Sequence, residues 1–175
     1  MVWNSRAALE RTDCMSVFVC IILLCIALDQ ITKLFAIHFL STVTTVPIIP
    51  NVLHLTYVQN DGAAFSLLSG HQIFLIVVTL LFIVLLIYFL YSMPKKRATL
   101  SVNIALAMII GGAIGNLIDR IRFQYVVDFF DFRLIGFAIF NVADVFVVTG
   151  CIVVILAVIR GNFPSGEPAS ESKKD

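Results

Sequence analysis

Four apolar stretches, each close to twenty residues long, leave a chain of 175 residues little freedom in what it can fold into. They cover residues 15–37, 73–93, 100–118 and 141–159. About 20 residues of α-helix cross the roughly 30 Å of bilayer hydrocarbon, where a backbone satisfies its hydrogen bonds within its own segment. The pattern predicts an α-helical integral membrane protein with four transmembrane helices. With 60% hydrophobic and only 13% charged residues, the chain is not a water-soluble domain. The first span is interrupted by Asp29 and Lys33; its uncharged part, residues 15–28, is short for a crossing, so the span is extended through Ile37.

Lys and Arg concentrate beside the cytoplasmic ends of membrane spans. Arg6, Arg11, Lys95, Lys96, Arg97, Arg160, Lys173 and Lys174 fall on one side, and Lys33, Arg120, Arg122 and Arg133 on the other. Both termini are therefore expected in the cytoplasm, with segments 38–72 and 119–138 on the outer face. Arg6 and Arg11 ahead of an apolar region also suggest a secretory leader. However, Val19 and Leu24, not small residues, precede Cys20 and Cys25, so an uncleaved anchor is expected. Cys20, Cys25 and Cys151 lie inside spans and Cys14 on the cytoplasmic side, where free thiols are expected. Residues 1–160 then form one membrane domain, and the polar tail 161–175 (GNFPSGEPASESKKD) is expected to be disordered. The net charge of +1, with no basic run, gives no sign of nucleic-acid binding.

The outer segments carry structure of their own. Residues 52–58 (VLHLTYV) and 126–132 (VVDFFDF) are rich in β-branched and aromatic residues and can pair into a small sheet. Asn60, Asp61 and Gly62 read as a turn, and residues 63–68 as a short surface helix able to cover a site as a lid.

Ionisable groups at the edge of hydrocarbon need a partner or a task. Asp29 and Lys33, four apart, share a helix face; they form either a mutually neutralising pair with Lys33 snorkelling outward or a substrate-positioning pair. Gly111, Gly112 and Gly115 form a close-packing face. Asn116, Asp119 and Arg120 end that span as a polar cluster, in which Arg120 is expected to pair with Asp119 or another outer-face carboxylate.

Asp128 and Asp144 flank the start of the last span. Two adjacent carboxyls tend to share a proton, the arrangement that activates water for hydrolysis. Asn141 and Asp144 also read as a capping box, and the two readings are compatible, because the positive helix end favours an ionised acid in the first turn. Asp144 then suits the base, and Asp128, among Val126, Val127, Phe129 and Phe130, suits the acid; as a coupled dyad the two can exchange roles. Other catalysts fit less well. His38, His54 and His71 form no HExxH motif, so no metal is expected, and neither Ser66 nor Ser69 lies in a GxSxG elbow or has an evident base.

Five motifs in order, Asp29-Gln30-xx-Lys33, Asn60-x-Gly62-x-Ala64-Phe65, Gly111 to Arg120 (GGAxGNxxDR), Val127-Asp128-Phe129 and Phe140-Asn141-x-Ala143-Asp144, resemble the lipoprotein signal peptidase (signal peptidase II) family. The resemblance implies an aspartic endopeptidase of the bacterial inner membrane that removes signal peptides from diacylglyceryl-modified prolipoproteins just before the lipidated cysteine; a monomer without cofactor is expected. It implies a catalytic pair Asp128 and Asp144, a surrounding substrate-binding shell of Asn60, Gly62, Asn116, Arg120 and Asn141, and structural roles for Asp29, Lys33 and Asp119. It also implies that globomycin-type cyclic peptides occupy the site. The residues by themselves leave two other classes open: a proton- or ion-coupled transporter, and a tetraspan scaffold in which the polar groups only cap helices.

Overall fold

The computed structural model describes residues 2–62, 68–94 and 99–161, with side chains from residue 15 onward. Its elements run α1 (Val2–Leu40), β1 (Thr45–Ile49), β2 (Leu53–Asn60), α2 (Gln72–Ser92), α3 (Leu100–Phe123), β3 (Val126–Phe132), a single 3-10 turn (Arg133–Ile135) and α4 (Val142–Ile159). Four helices are long and apolar enough to cross a membrane, the first over Met15–Leu40, so this is a multi-pass membrane protein. Asp29 and Lys33 do not interrupt α1.

The helices are not equivalent. α3 is the central one, with 67% of its apolar window buried against 17–22% for the others. Val102, Leu106, Ile110 and Ala113 of α3 form the core with Phe18 of α1, Ile83 and Leu86 of α2 and Ala157 of α4. The outer helices leave Leu23, Leu81, Val84 and Ile155 exposed, as hydrocarbon allows.

Close approach to α3 depends on the absence of side chains. A Cβ on Gly111 would meet Cys25 Cβ of α1 at 2.6 Å, and one on Gly112 would meet the Ala143 carbonyl oxygen of α4 at 2.5 Å. One on Gly115 would strike the Asp29 carboxylate. The three glycines thus admit different partners: Gly111 and Gly115 face α1, and Gly112 faces α4. Gly150 does the same from α4, where a Cβ would meet Ala105 O at 2.8 Å.

A three-stranded antiparallel sheet in the order β1-β2-β3 lies at the end of the bundle where α1 and α3 finish and α2 and α4 begin. β2 and β3 pair as their sequences suggest, from Leu53 opposite Phe132 to Asn60 opposite Val126, with a bulge between Leu55 and Val58. β1 is an addition to the expected pair. Pro47 conceals it in the sequence, but an edge strand tolerates the missing N–H. Asn51, in the left-handed region at φ 62°, turns β1 into β2, and Val52 N–H donates to Ile49 O at 3.0 Å. Under the sheet, Val127 and Phe129 pack with Ala36 and Leu40 of α1.

α3 continues through residues 119–123, which the sequence assigns to an outer segment; its helical hydrogen bonding ends only at Gln124, in the left-handed conformation. Cys20, Cys25 and Cys151 are free thiols. The surface helix and lid expected at residues 63–68 lie outside the described residues except for Leu68, which belongs to a turn, and the tail beyond residue 161 lies outside them too.

Gly112→Ala is expected to lower the stability of the detergent-solubilised protein by about 1–3 kcal/mol, because the clashing atom is α4 backbone and cannot rotate away. An unshifted thermal midpoint would show that α3 and α4 can separate without loss.

Candidate active site

Alternation along β3 sends Val127 and Phe129 into the apolar cluster and turns Asp128 to the opposite face of the strand. Asp128 is only 2% exposed. Asn60, from the end of β2, donates through Nδ2 to Asp128 Oδ2 at 2.8 Å, while its Oδ1 accepts the Gly62 N–H at 3.0 Å, the side-chain turn expected at these residues. Asn141 Nδ2 donates to Asp128 Oδ1 at 2.6 Å.

The same Asn141 starts α4. Its Oδ1 accepts the Asp144 N–H at 3.0 Å, and Asp144 Oδ2 accepts the Asn141 N–H at 3.1 Å, which completes the capping box. Asp144 Oδ1 remains, and accepts from Asn116 Nδ2 of α3 at 2.8 Å. Asn141 Nδ2 also donates to Asn116 Oδ1 at 3.1 Å. Asp128 and Asp144 are thereby joined by two amide side chains, and both line one cavity of about 730 Å³. Asn60, Asn116 and Arg120 share its wall, and Phe137 to Phe140 with Val145 and Val148 make the remainder mostly apolar.

Burial pushes the Asp128 carboxyl up to about 6, and the negative charge of Asp144 adds to it against the hydrogen bonds from Asn60 and Asn141 and the positive charge of Lys33. A neutral acid in this cavity can donate a proton, and a carboxylate beside it can take one from water. The arrangement is suited to hydrolysis.

Two expectations need correction. Lys33 does not snorkel. It is 2% exposed, and its ammonium reaches Asp29 Oδ2 at 2.9 Å, Asp119 Oδ2 at 2.9 Å and Asn116 Oδ1 at 2.8 Å, so three acceptors inside the protein replace water. Arg120 forms no ion pair with Asp119 or another carboxylate among the described residues. Successive residues on a helix diverge by about 100°, so Asp119 faces α1 and Lys33 while Arg120 faces the cavity and donates to Gly62 O at 3.1 Å. Gln30, which the sequence marks only as a neighbour of Asp29, donates to Asp119 Oδ1 at 3.0 Å and Gly115 O at 3.2 Å.

The model of the family described as signal peptidase (SPase) II matches residues 21–160. The chain belongs to the signal peptidase II family. The lipoprotein signal peptidase of Clostridioides difficile (strain 630) is 46% identical over 142 residues, covering 81% of this chain and 94% of that protein. That of Caldanaerobacter subterraneus subsp. tengcongensis is 46% identical over 136 residues, covering 77% and 91%. A solved structure described as a bacterial membrane enzyme, obtained by the in meso method at 2.3 Å, superposes with a TM-score of 0.75 at 31% identity over 90% of this chain and 95% of its own. A second, at 1.9 Å, gives 0.72 at 32% identity over 83% and 94%. As a member of the signal peptidase II family the protein is a peptidase of aspartic type, which sets aside the transporter and scaffold alternatives.

The Phe137 to Phe140 wall had no motif beyond the leading Phe of FNxAD to mark it. Its place follows from tertiary pairing, in which Phe129 and Phe130 both donate to Phe140 O, at 3.0 and 2.8 Å.

Because the folded Asp128 holds its proton to about pH 6 and an ordinary aspartate only to 3.8, ionising it works against folding. Wild-type stability is expected to fall relative to Asp128→Asn as pH rises through that window, by up to about 3 kcal/mol. A pH-independent difference in thermal midpoint would show that Asp128 ionises as an ordinary carboxyl.

Proposed function

We propose that this protein removes the signal peptide from diacylglyceryl-modified bacterial prolipoproteins, cleaving immediately before the lipidated cysteine with Asp128 and Asp144 as the catalytic dyad. The observation that carries the proposal is the amide bridge: Asn141 and Asn116 hold both carboxyls on one cavity wall, at the start of a span.

Asp144 accepts two hydrogen bonds in the first turn of α4, near its positive end, and is the base that deprotonates water. Asp128 carries the shared proton, polarises the scissile carbonyl oxygen and later supplies a proton to the leaving amine of the cysteine. Asn60, Asn116 and Asn141 orient the two carboxyls. Arg120 anchors Gly62, and its Nε, buried and without a partner among the described residues, is a donor for the substrate backbone. No metal enters this chemistry.

The apolar part of the cavity, Phe137 to Phe140 with Val145 and Val148, receives the acyl chains, so the lipid sets the depth at which the peptide bond meets the acids. The Lys and Arg distribution supports cytoplasmic termini in the bacterial inner membrane and a site at the outer face. The catalytic unit spans residues 1–160, with the tail outside it, and works as a monomer. Globomycin-type cyclic peptides compete for the same cavity.

In a detergent assay with lipid-modified prolipoprotein, Asp128→Asn and Asp144→Asn are each expected to lower turnover by at least about 10³-fold. Normal processing by either variant would reject the dyad. Deprotonation of Asp128 should end activity on the alkaline side, near pH 6 in kcat/KM of the free enzyme. Asn60 stabilises the Asp128 carboxylate, so Asn60→Ala should move that limb to higher pH; a limb that stays put or moves down would count against Asp128 as the proton carrier.

A further inference from the structure

An asparagine amide is nearly symmetric in shape, and its two ends have opposite chemistry. Asn116 is useful to Asp144 only when its NH2 group faces the carboxylate. Two donors face its oxygen, Asn141 Nδ2 at 3.1 Å and, at shorter range and with a full charge, Lys33 of α1. An ammonium can only donate, so Lys33 Nζ, at 2.8 Å, requires the carbonyl end of Asn116 to face it and leaves the NH2 end for Asp144 Oδ1. A flipped amide would set NH2 against ammonium and oxygen against carboxylate.

The two carboxylates that hold Lys33 have a second contact each. Asp29 Oδ1 accepts the N–H of Ala143 at 3.0 Å, and Asp119 Oδ2 accepts the N–H of Val127 at 3.1 Å. Ala143 immediately precedes Asp144, and Val127 immediately precedes Asp128. The three N–H groups of one buried ammonium are therefore spent on Asn116 and on the two acids that tether the backbone ahead of each dyad residue. A charge pair serving only helix packing would not need both tethers to end beside the same two aspartates.

We infer that Lys33 is a positioning residue for the reaction: together with Asn141 it holds the Asn116 amide in the direction Asp144 needs and, through Asp29 and Asp119, sets where the two acids stand relative to each other. This rests on the dyad reading above. It assigns Lys33 an effect on turnover separate from its effect on stability.

Lys33→Met alone strands two buried carboxylates, so the informative protein is Lys33→Met with Asp119→Asn. That double variant keeps the net charge of the Asp29, Lys33 and Asp119 group, and Asn at 119 retains an oxygen for the Val127 N–H. In the detergent assay its kcat should fall by about 10²-fold, the scale on which small misplacements act, with KM within about threefold. The same pair of changes in an Asn116→Ala background should cost clearly less than in the wild type, because the route through the amide is gone and only the tethers through Asp29 and Asp119 remain. Lys33→Gln with Asp119→Asn, which returns an N–H donor, should recover about tenfold of the lost kcat, and it keeps the test open if the Met protein does not fold. Losses that multiply in the Asn116→Ala background, a change confined to KM, or no recovery in a folded Gln variant would overturn the inference. Asp128→Asn and Asp144→Asn, assayed alongside, separate the two claims. If both are inactive while the Lys33 losses multiply, the positioning role alone fails; if either is active, the dyad reading fails and the positioning role falls with it.

Discussion

A polar group placed in hydrocarbon has no water to fall back on and must find its partners inside the protein. The buried cluster of Asp29, Lys33 and Asp119, each at most 2% exposed, meets that demand in full across two helices, and the rest of the site is built outward from it. Such a cluster forms only if the backbones come close. Gly111, Gly112 and Gly115 permit this, since any side chain on α3 at those positions would hold α1 or α4 away. The small-residue face and the polar cluster are one device.

The proposed chemistry rests on a contrast between the surroundings of two acids. Asp128 sits on a strand, buried and pushed up toward 6, with an apolar sheet beneath it. Asp144 sits in a helix cap, where a backbone N–H and a side-chain amide both donate to it. In the proposed mechanism these different surroundings let two identical side chains take opposite halves of a proton transfer. The capping box, which by itself explains Asn141 and Asp144 as helix-starting residues, is also what aims Asn141 Nδ2 at Asp128.

Much of this was legible in the residues, and the failures are specific. The spans, the strand character of residues 52–58 and 126–132, the glycine face and the capping box follow from patterns within a few residues of one another. Strand β1 was hidden because Pro47 argues against a strand except at an edge, and edge position is a property of the sheet. The partner of Arg120 was misassigned because adjacency in sequence to Asp119 says nothing about which helix face meets α1. The cavity wall at Phe137 to Phe140 has no periodicity to betray it and exists only through the bridge to β3.

By itself the sequence determined the membrane setting, the number of spans, the local caps and which polar side chains had to be accounted for, because hydropathy and helix-end chemistry act over one turn to one span. Only the tertiary structure decided which of those side chains meet: that Lys33 turns inward to Asn116, that Asp119 leaves Arg120 for α1, and that Asp128 and Asp144 line one cavity. Those contacts join residues as far as 114 positions apart in the chain, as between Asp29 and Ala143. The physical reason is that a buried donor can pair with any acceptor at the right distance, and distance in space is set by how helices pack.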